Sequence, residues 1–178
     1  MIIGQRLKRT PKIRSGIAAL ALLSAVDSAV GLDCGDLNLP ALSESTPEIF
    51  HSEAVTDNAN GIMWARCLLG QSGDRCEGGI GSQLSWVDAL NSARGSEHAG
   101  FTNWRLPKLE ELQTLVENCG DPVFNRDSFP GLTNSFIWSA SANIDYATDA
   151  WAVDFTTGKP AVKSRDTLIN VILIRSLE

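Results

Sequence analysis

Short strand-like runs and turns arranged around two helical stretches predict an α+β fold for this chain. Three observations carry that class. Leu109, Leu112, Leu115 and Val116 recur at helical spacing directly behind Pro107. Trp151, Val153 and Phe155 alternate as one face of a strand does. Val171 to Ile174 is apolar at every position, as a central strand covered on both sides would be.

In chain order, the first element is a hairpin. Thr56 to Gly61 is a turn between two strand-like runs, and Asn60-Gly61 supplies the positive-φ positions a tight hairpin requires. Calcium binding is the alternative use of this turn, but an EF-hand loop needs oxygen ligands at alternate positions and a distant Glu that is missing here. The first helix begins at Ser85 as N-cap, with Asp88 three residues on in a variant capping box, and Trp86, Ala89, Leu90 and Ala93 form its buried stripe. The second opens in Asn103-Trp-Arg-Leu-Pro107. Proline has φ near the helical value and no N–H to lose, so Pro107 is expected at the first helical position. Glu110 and Glu111 lie in the first turn, where the positive end of the helix dipole favours carboxylates, and Asn118-Cys119-Gly120 supplies a stop. Trp104 is expected to pack as a core anchor at this helix start. Arg105, with five donors in a fixed fork, is expected to be held by carboxylates or carbonyls. Further on, Thr156 to Lys159 turns the Trp151 strand toward Pro160 to Ser164. There is no repeat or low-complexity tract, and Leu37 to Pro47 is the one loose connector.

The N-terminus reads as a secretory signal peptide over residues 1–31. Arg6, Lys8, Arg9, Lys12 and Arg14 form a basic region, Gly16 to Val26 an apolar stretch too short to span a bilayer, and Ala29-Val-Gly31 a small-residue cleavage site. An uncleaved anchor is the alternative, opposed by Asp27 and Ser28, which end the apolar run early. Removing the leader takes away five of 15 basic residues and only Asp27 of 21 acidic ones, leaving ten against twenty. Nucleic acid is excluded as a partner on this balance, because the remaining cations are scattered singly rather than clustered into a basic footprint. Cys34, Cys67, Cys76 and Cys119 all survive cleavage and would meet an oxidising compartment, which argues for disulfides in one of three connectivities. A metal site is not expected, since zinc ligands come as Cys-x-x-Cys pairs or beside histidines, and neither His51 nor His98 is so placed.

Several stretches together resemble a known family. Val55 to Cys67 looks like its opening hairpin, Ser85-Trp-Val-Asp-Ala-Leu90 like its first helix, and Trp-Arg-Leu-Pro107 like the start of its second. Phe129-Pro-Gly, Ile137-Trp-Ser-Ala-Ser141, Ala150-Trp-Ala-Val-Asp-Phe155 and Val171-Ile-Leu-Ile-Arg-Ser176 match its later strands in the same order. The chain thus resembles the Lcl C-terminal domain family of bacterial extracytoplasmic modules. The likeness covers residues 47–178, behind an N-terminal extension at 32–46. It implies a C-type-lectin-like fold, with two helices packed on a small twisted antiparallel sheet whose terminal strands lie close together. It also implies paired cysteines at Cys67 and Cys76. The Gly-rich polar loop between them favours the same bridge, and Cys34 would then take Cys119. Some relatives are associated with sulfated polysaccharides, but so acidic a chain fits neutral glycans or proteins better.

The residues depart from the fold's calcium-dependent sugar binders, since Glu-Pro-Asn, Gln-Pro-Asp and Trp-Asn-Asp are all missing. Catalysis is not expected either. There is no Gly-x-Ser-x-Gly elbow, and the reactive cysteine pair of the fold's formylglycine-generating branch would here be consumed by disulfides. No cofactor is expected. Of five tryptophans, Trp64, Trp104, Trp138 and Trp151 sit in apolar strands or family motifs and are expected in the core, with Trp86 the least secure. For ligand contact the sequence points to the polar loop Ala140 to Asp149, where Asn143, Asp145 and Tyr146 offer hydrogen bonding beside a flat ring. The expected function is an exported, periplasmic or secreted, non-catalytic recognition or adhesion module for glycan or envelope protein, with no stable membrane span after cleavage. A structural envelope or pilus-associated component without a small ligand is the alternative.

Overall fold

The computed structural model describes residues 48–50, 53–117 and 122–177, the first three by backbone alone. The leader and its cleavage site, the 32–46 extension, the Cys34–Cys119 pairing and the helix stop at Asn118 to Gly120 lie outside the described residues.

Strand β1 (Glu48–Phe50) pairs antiparallel with β2 (Ala54–Asp57), which forms a hairpin with β3 (Ile62–Ala65). Asp57 closes the hairpin turn by accepting from the N–H and the side-chain amide of Asn60 at 3.1 and 2.6 Å. Of the expected Asn60-Gly61 pair only Gly61 has positive φ, at 65°. A small ribbon of β4 (Gln71–Ser72) and β5 (Gly78–Gly79) follows, then β6 (Gln83–Leu84). Helix α1 (Trp86–Arg94) starts as its sequence suggests: Ser85 Oγ accepts from Asp88 N at 3.3 Å and lies 2.6 Å from the Asp88 carboxylate.

Helix α2 (Leu109–Gln113) is shorter than the sequence predicts and begins later. Lys108, extended at ψ 164°, is its N-cap, because its own N–H is taken by the Glu111 carboxylate at 2.7 Å. Pro107 therefore precedes the cap instead of opening the helix, and its carbonyl accepts from Ala140 N. The freed N–H of Leu109 is met by Ser141 Oγ at 3.0 Å. At the other end Thr114, Leu115 and Val116 bond back three residues rather than four, so the helical turn tightens as it ends. The Thr114 hydroxyl on the Glu111 carbonyl competes for the longer-range bond.

Strands β7 (Phe136–Ala142), β8 (Asp149–Asp154) and β9 (Lys159–Ser164) form an antiparallel meander. Its β8–β9 turn is held by Asp154, which accepts from Thr156 N at 2.9 Å and from the Thr157 hydroxyl at 3.2 Å. The chain closes with β10 (Ile169–Asn170) and β11 (Ile174–Ser176). The single antiparallel sheet of the sequence reading is in fact two larger sheets, of order β1-β2-β3-β11 and β6-β10-β7-β8-β9, with β10 parallel to β7. Both sheets and two short helices make an α+β fold, and β1 and β11 share one sheet as its opposite edges, with β2 and β3 between them.

Val171 to Ile174 is likewise not one strand. It leaves the larger sheet after Asn170 and joins the smaller at Ile174, and on the way the Val171 and Leu173 carbonyls accept from Leu69 N and Ala65 N. Alternation then explains why every position is apolar. Val171 and Leu173 join a cluster with Met63, Ala65, Trp138, Ala152 and the α1 residues Ala89 and Ala93. Ile172 and Ile174 join another with Trp64, Ile137, Val153, Phe155 and the α2 residue Leu112. The two cores flank the strands on opposite faces, one covered by each helix.

Candidate functional site

Each residue of Asn103 to Arg105 ties two distant segments together. Asn103 Oδ1 accepts from Arg175 Nε at 2.7 Å, and the buried Arg175 guanidinium also lies 4.0 Å from the Phe101 ring centroid. Trp104 is 2% exposed, and its indole N–H donates to the carbonyls of His98 and Phe101, both at 3.0 Å. Those carbonyls belong to a two-residue turn, with Ala99 and Gly100 both at positive φ, that His98 and Phe101 close with a pair of backbone bonds. The His98 ring lies edge-on to Trp104 at 5.5 Å and its Nε2 donates to the Glu53 carbonyl at 2.9 Å. The backbone of Arg105 pairs both ways with Ile174, where the chain enters the smaller sheet.

The Arg105 guanidinium meets Glu111 in a two-pronged pair, both prongs 2.7 Å. That hydrogen bond lowers the Glu111 pKa most; partial burial works the other way, and the Lys108 N–H adds to the lowering. Arg105 is correspondingly raised by the same bond. A carboxyl whose folded pKa is depressed stabilises the fold fully above its unfolded value, about 4.3, and loses that contribution as pH falls through the folded value. Glu111→Gln should therefore cost about 1 kcal/mol at neutral pH, the upper range for a part-exposed, screened pair. Denaturation profiles of parent and variant should converge in acid.

The other aromatic positions divide. Trp64 and Trp138 are fully buried, the latter donating from Nε1 to the Leu84 carbonyl at 2.9 Å. Trp151 is only half-buried, unlike Val153 on the same strand and Phe155 just past its end; its strand partner is the exposed Val162, so that end of the face is less covered. Trp86 is half-buried under Arg165, whose guanidinium stands 4.3 Å from the ring, while its N–H donates to the Ser139 carbonyl. In the β7–β8 loop, Asp145 and Tyr146 are at the surface, but Asn143 is buried and its Oδ1 accepts from Asp145 N at 3.0 Å, shaping the turn. Cys67 and Cys76 form a disulfide. Next to it, the buried Arg66 donates to the carbonyls of Asp127 and Ser128 at 2.6 and 3.0 Å, drawing in the loop that bears Phe129, whose ring meets Trp64 edge-on. Gly131 passes so close to Cys67 that a Cβ would sit 2.7 Å from the Cys67 Cα, so only glycine fits. Among the described residues no three His, Cys, Asp or Glu side chains are grouped to hold a metal.

A groove of about 470 Å³ opens where β6, β10, β7, β8 and β9 run side by side. Gln83, Phe136, Asp154, Lys163, Leu168 and Asn170 are among the residues that line it. The Lys163 ammonium stands 3.7 Å over the Phe136 ring. Asp154 is partly buried, which alone would raise its pKa, but its bonds from Thr156 and Thr157 and the charge of Lys163 outweigh this and lower it. Asn170, 7% exposed, donates from Nδ2 to Ser135 Oγ at 3.0 Å. Neither a cysteine nor a histidine lines the groove, and its amides, hydroxyls and ammonium are groups that can hydrogen-bond a ligand. None of these residues was singled out from sequence. The one available signal was Asn170, a polar side chain interrupting the apolar run from Ile169 to Ile174.

A family model described as the Lcl C-terminal domain matches residues 53–175. No curated protein matches the chain.

Proposed function

We propose, for a chain that belongs to the Lcl C-terminal domain family, the role of an exported, non-catalytic recognition or adhesion module of the bacterial envelope. The observation that carries this reading is the open groove on the larger sheet, which offers hydrogen-bonding side chains beside an exposed apolar one. Export agrees with the basic and apolar leader and with the Cys67–Cys76 bridge, which an oxidising compartment sustains. No described helix is long and apolar enough to cross a membrane. The finer fold assignment, C-type-lectin-like, is part of the proposal; sharing of one sheet by β1 and β11 and the two short flanking helices support it. Partners would be neutral glycans or envelope proteins, since the acidic balance disfavours nucleic acid.

The second reading is a structural envelope or pilus-associated component. Ile144 and Tyr146, 96% and 65% exposed on the β7–β8 loop, favour it as an apolar protein contact. Glycan arrays probed with purified protein, run beside crosslinked pull-down from the envelope, separate the two. A narrow set of neutral-sugar hits that compete in solution is the expected result. An empty array with a stable envelope complex instead would replace recognition of a small ligand by the structural role.

A further inference from the structure

We infer that the groove beside β10 is a binding site for a neutral saccharide ring, a proposal that rests on the recognition reading above. Its volume, about 470 Å³, falls within the range of small-molecule sites, roughly 300–1,000 Å³. The decisive feature is which polar groups the fold leaves unspent. Asn170 is 7% exposed and uses Nδ2 on Ser135, while its Oδ1 accepts no hydrogen bond from a described residue. No fully buried side-chain oxygen or nitrogen among the described residues lacks a partner, so this Oδ1, on a residue that lines the groove, keeps contact with solvent. Lys163 is held over Phe136 by its charge on the ring face, and its ammonium donates to no oxygen of a described residue. The exposed amide of Gln83 adds a donor and an acceptor on the rim.

Acceptor, ammonium and amide belong to residues that line one groove with Leu168, an apolar side chain left 61% exposed. A sugar ring combines these needs, with hydroxyls that donate and accept along its edge and C–H groups on its face. An anion is a poorer fit because the single cation here already acts on Asp154, whose carboxylate shares the groove. A wholly apolar ligand would strand the Asn170 carbonyl and the Lys163 ammonium without water.

The test is nuclear magnetic resonance titration of the ¹⁵N-labelled full-length protein with cellobiose, maltose and chitobiose, and with glucuronic acid as the anionic control. At least one neutral disaccharide should shift the side-chain amide signals of Asn170 and Gln83. Leu168→Asp and Gln83→Ala, both at exposed positions that the fold tolerates, should each weaken that binding about tenfold or more at an unchanged melting temperature. Binding that survives both variants overturns the groove and leaves the recognition reading standing. Glucuronic acid binding as well as the neutral sugars overturns the ligand class alone. Amide signals unmoved by every neutral sugar overturn groove and ligand together, and recognition then stands or falls on the envelope pull-down.

Discussion

Trp104→Ala should lower stability by about 3–5 kcal/mol, the range for emptying a large buried aromatic site. The side chain is 2% exposed and joins the α1-side cluster with Leu106, Trp138 and Leu173. Its loss would remove more than volume. The indole N–H is the donor to the His98 and Phe101 carbonyls, and these hold a turn whose Ala99 has φ 50°, a conformation costing a non-glycine residue about 1–2 kcal/mol. Trp104→Phe separates the two contributions, because it keeps most of the packing and removes the indole donor while the two carbonyls keep their backbone partners; about 1 kcal/mol is expected for it. Urea denaturation of both variants decides. If Trp104→Ala changes stability by no more than about 0.5 kcal/mol, as surface substitutions do, and at the same time abolishes ligand binding, the motif is a recognition surface and the anchoring role is wrong.

Opening the Cys67–Cys76 bridge is the second large effect. With the cysteines 9 residues apart, the chain-entropy relation gives about 2.5 kcal/mol from restriction of the unfolded chain, within the usual ~2–4 kcal/mol. The native loop has little else to hold it. Its ribbon pairs only Gln71 with Gly79 and Ser72 with Gly78, and Arg66 reaches the Asp74 carbonyl at a long 3.5 Å. Cys76 itself sits at φ 60°, which the reduced chain is free to leave. Mild reductant, or the double variant Cys67→Ala/Cys76→Ala, should lower the melting temperature, and non-reducing peptide mapping should recover both cysteines in one bridged peptide. Free thiols at both positions in the purified protein would refute the bridge.

Much of the secondary structure was legible because it follows from local physics. Ser85 with Asp88 marked the start of α1, since a cap is satisfied within four residues. Asn60 and Gly61 marked the first hairpin, and Thr156 to Lys159, with Gly158 at φ 71°, the last one, where the structure adds Asp154 as the acceptor that holds the turn. The start of α2 was misplaced by two residues because Pro107 satisfies the general rule for a first helical position, whereas the Glu111 carboxylate, itself fixed by Arg105, selects Lys108 as cap. Trp151 was expected in the core with its neighbours on the strand; alternation names a face but not how far along it the covering extends.

By itself, then, the sequence determined which segments are helical or extended, which residues are apolar enough to be buried, and the acidic, disulfide-compatible character of the chain. These depend on periods of two and 3.6 residues and on composition, all of which are properties of neighbours in the chain. Tertiary structure alone decided that Val171 to Ile174 passes from one sheet to the other, because an apolar run records burial on both sides and carries no information about which strands supply its hydrogen bonds. It also decided the groove. Gln83, Phe136, Lys163, Leu168 and Asn170 come from separate strands and turns, and only the register of β10 against β6 and β7, and of β8 against β7 and β9, brings them to one place. Register is set by pairing across the chain, where a shift of a single residue would turn each of these side chains to the opposite face.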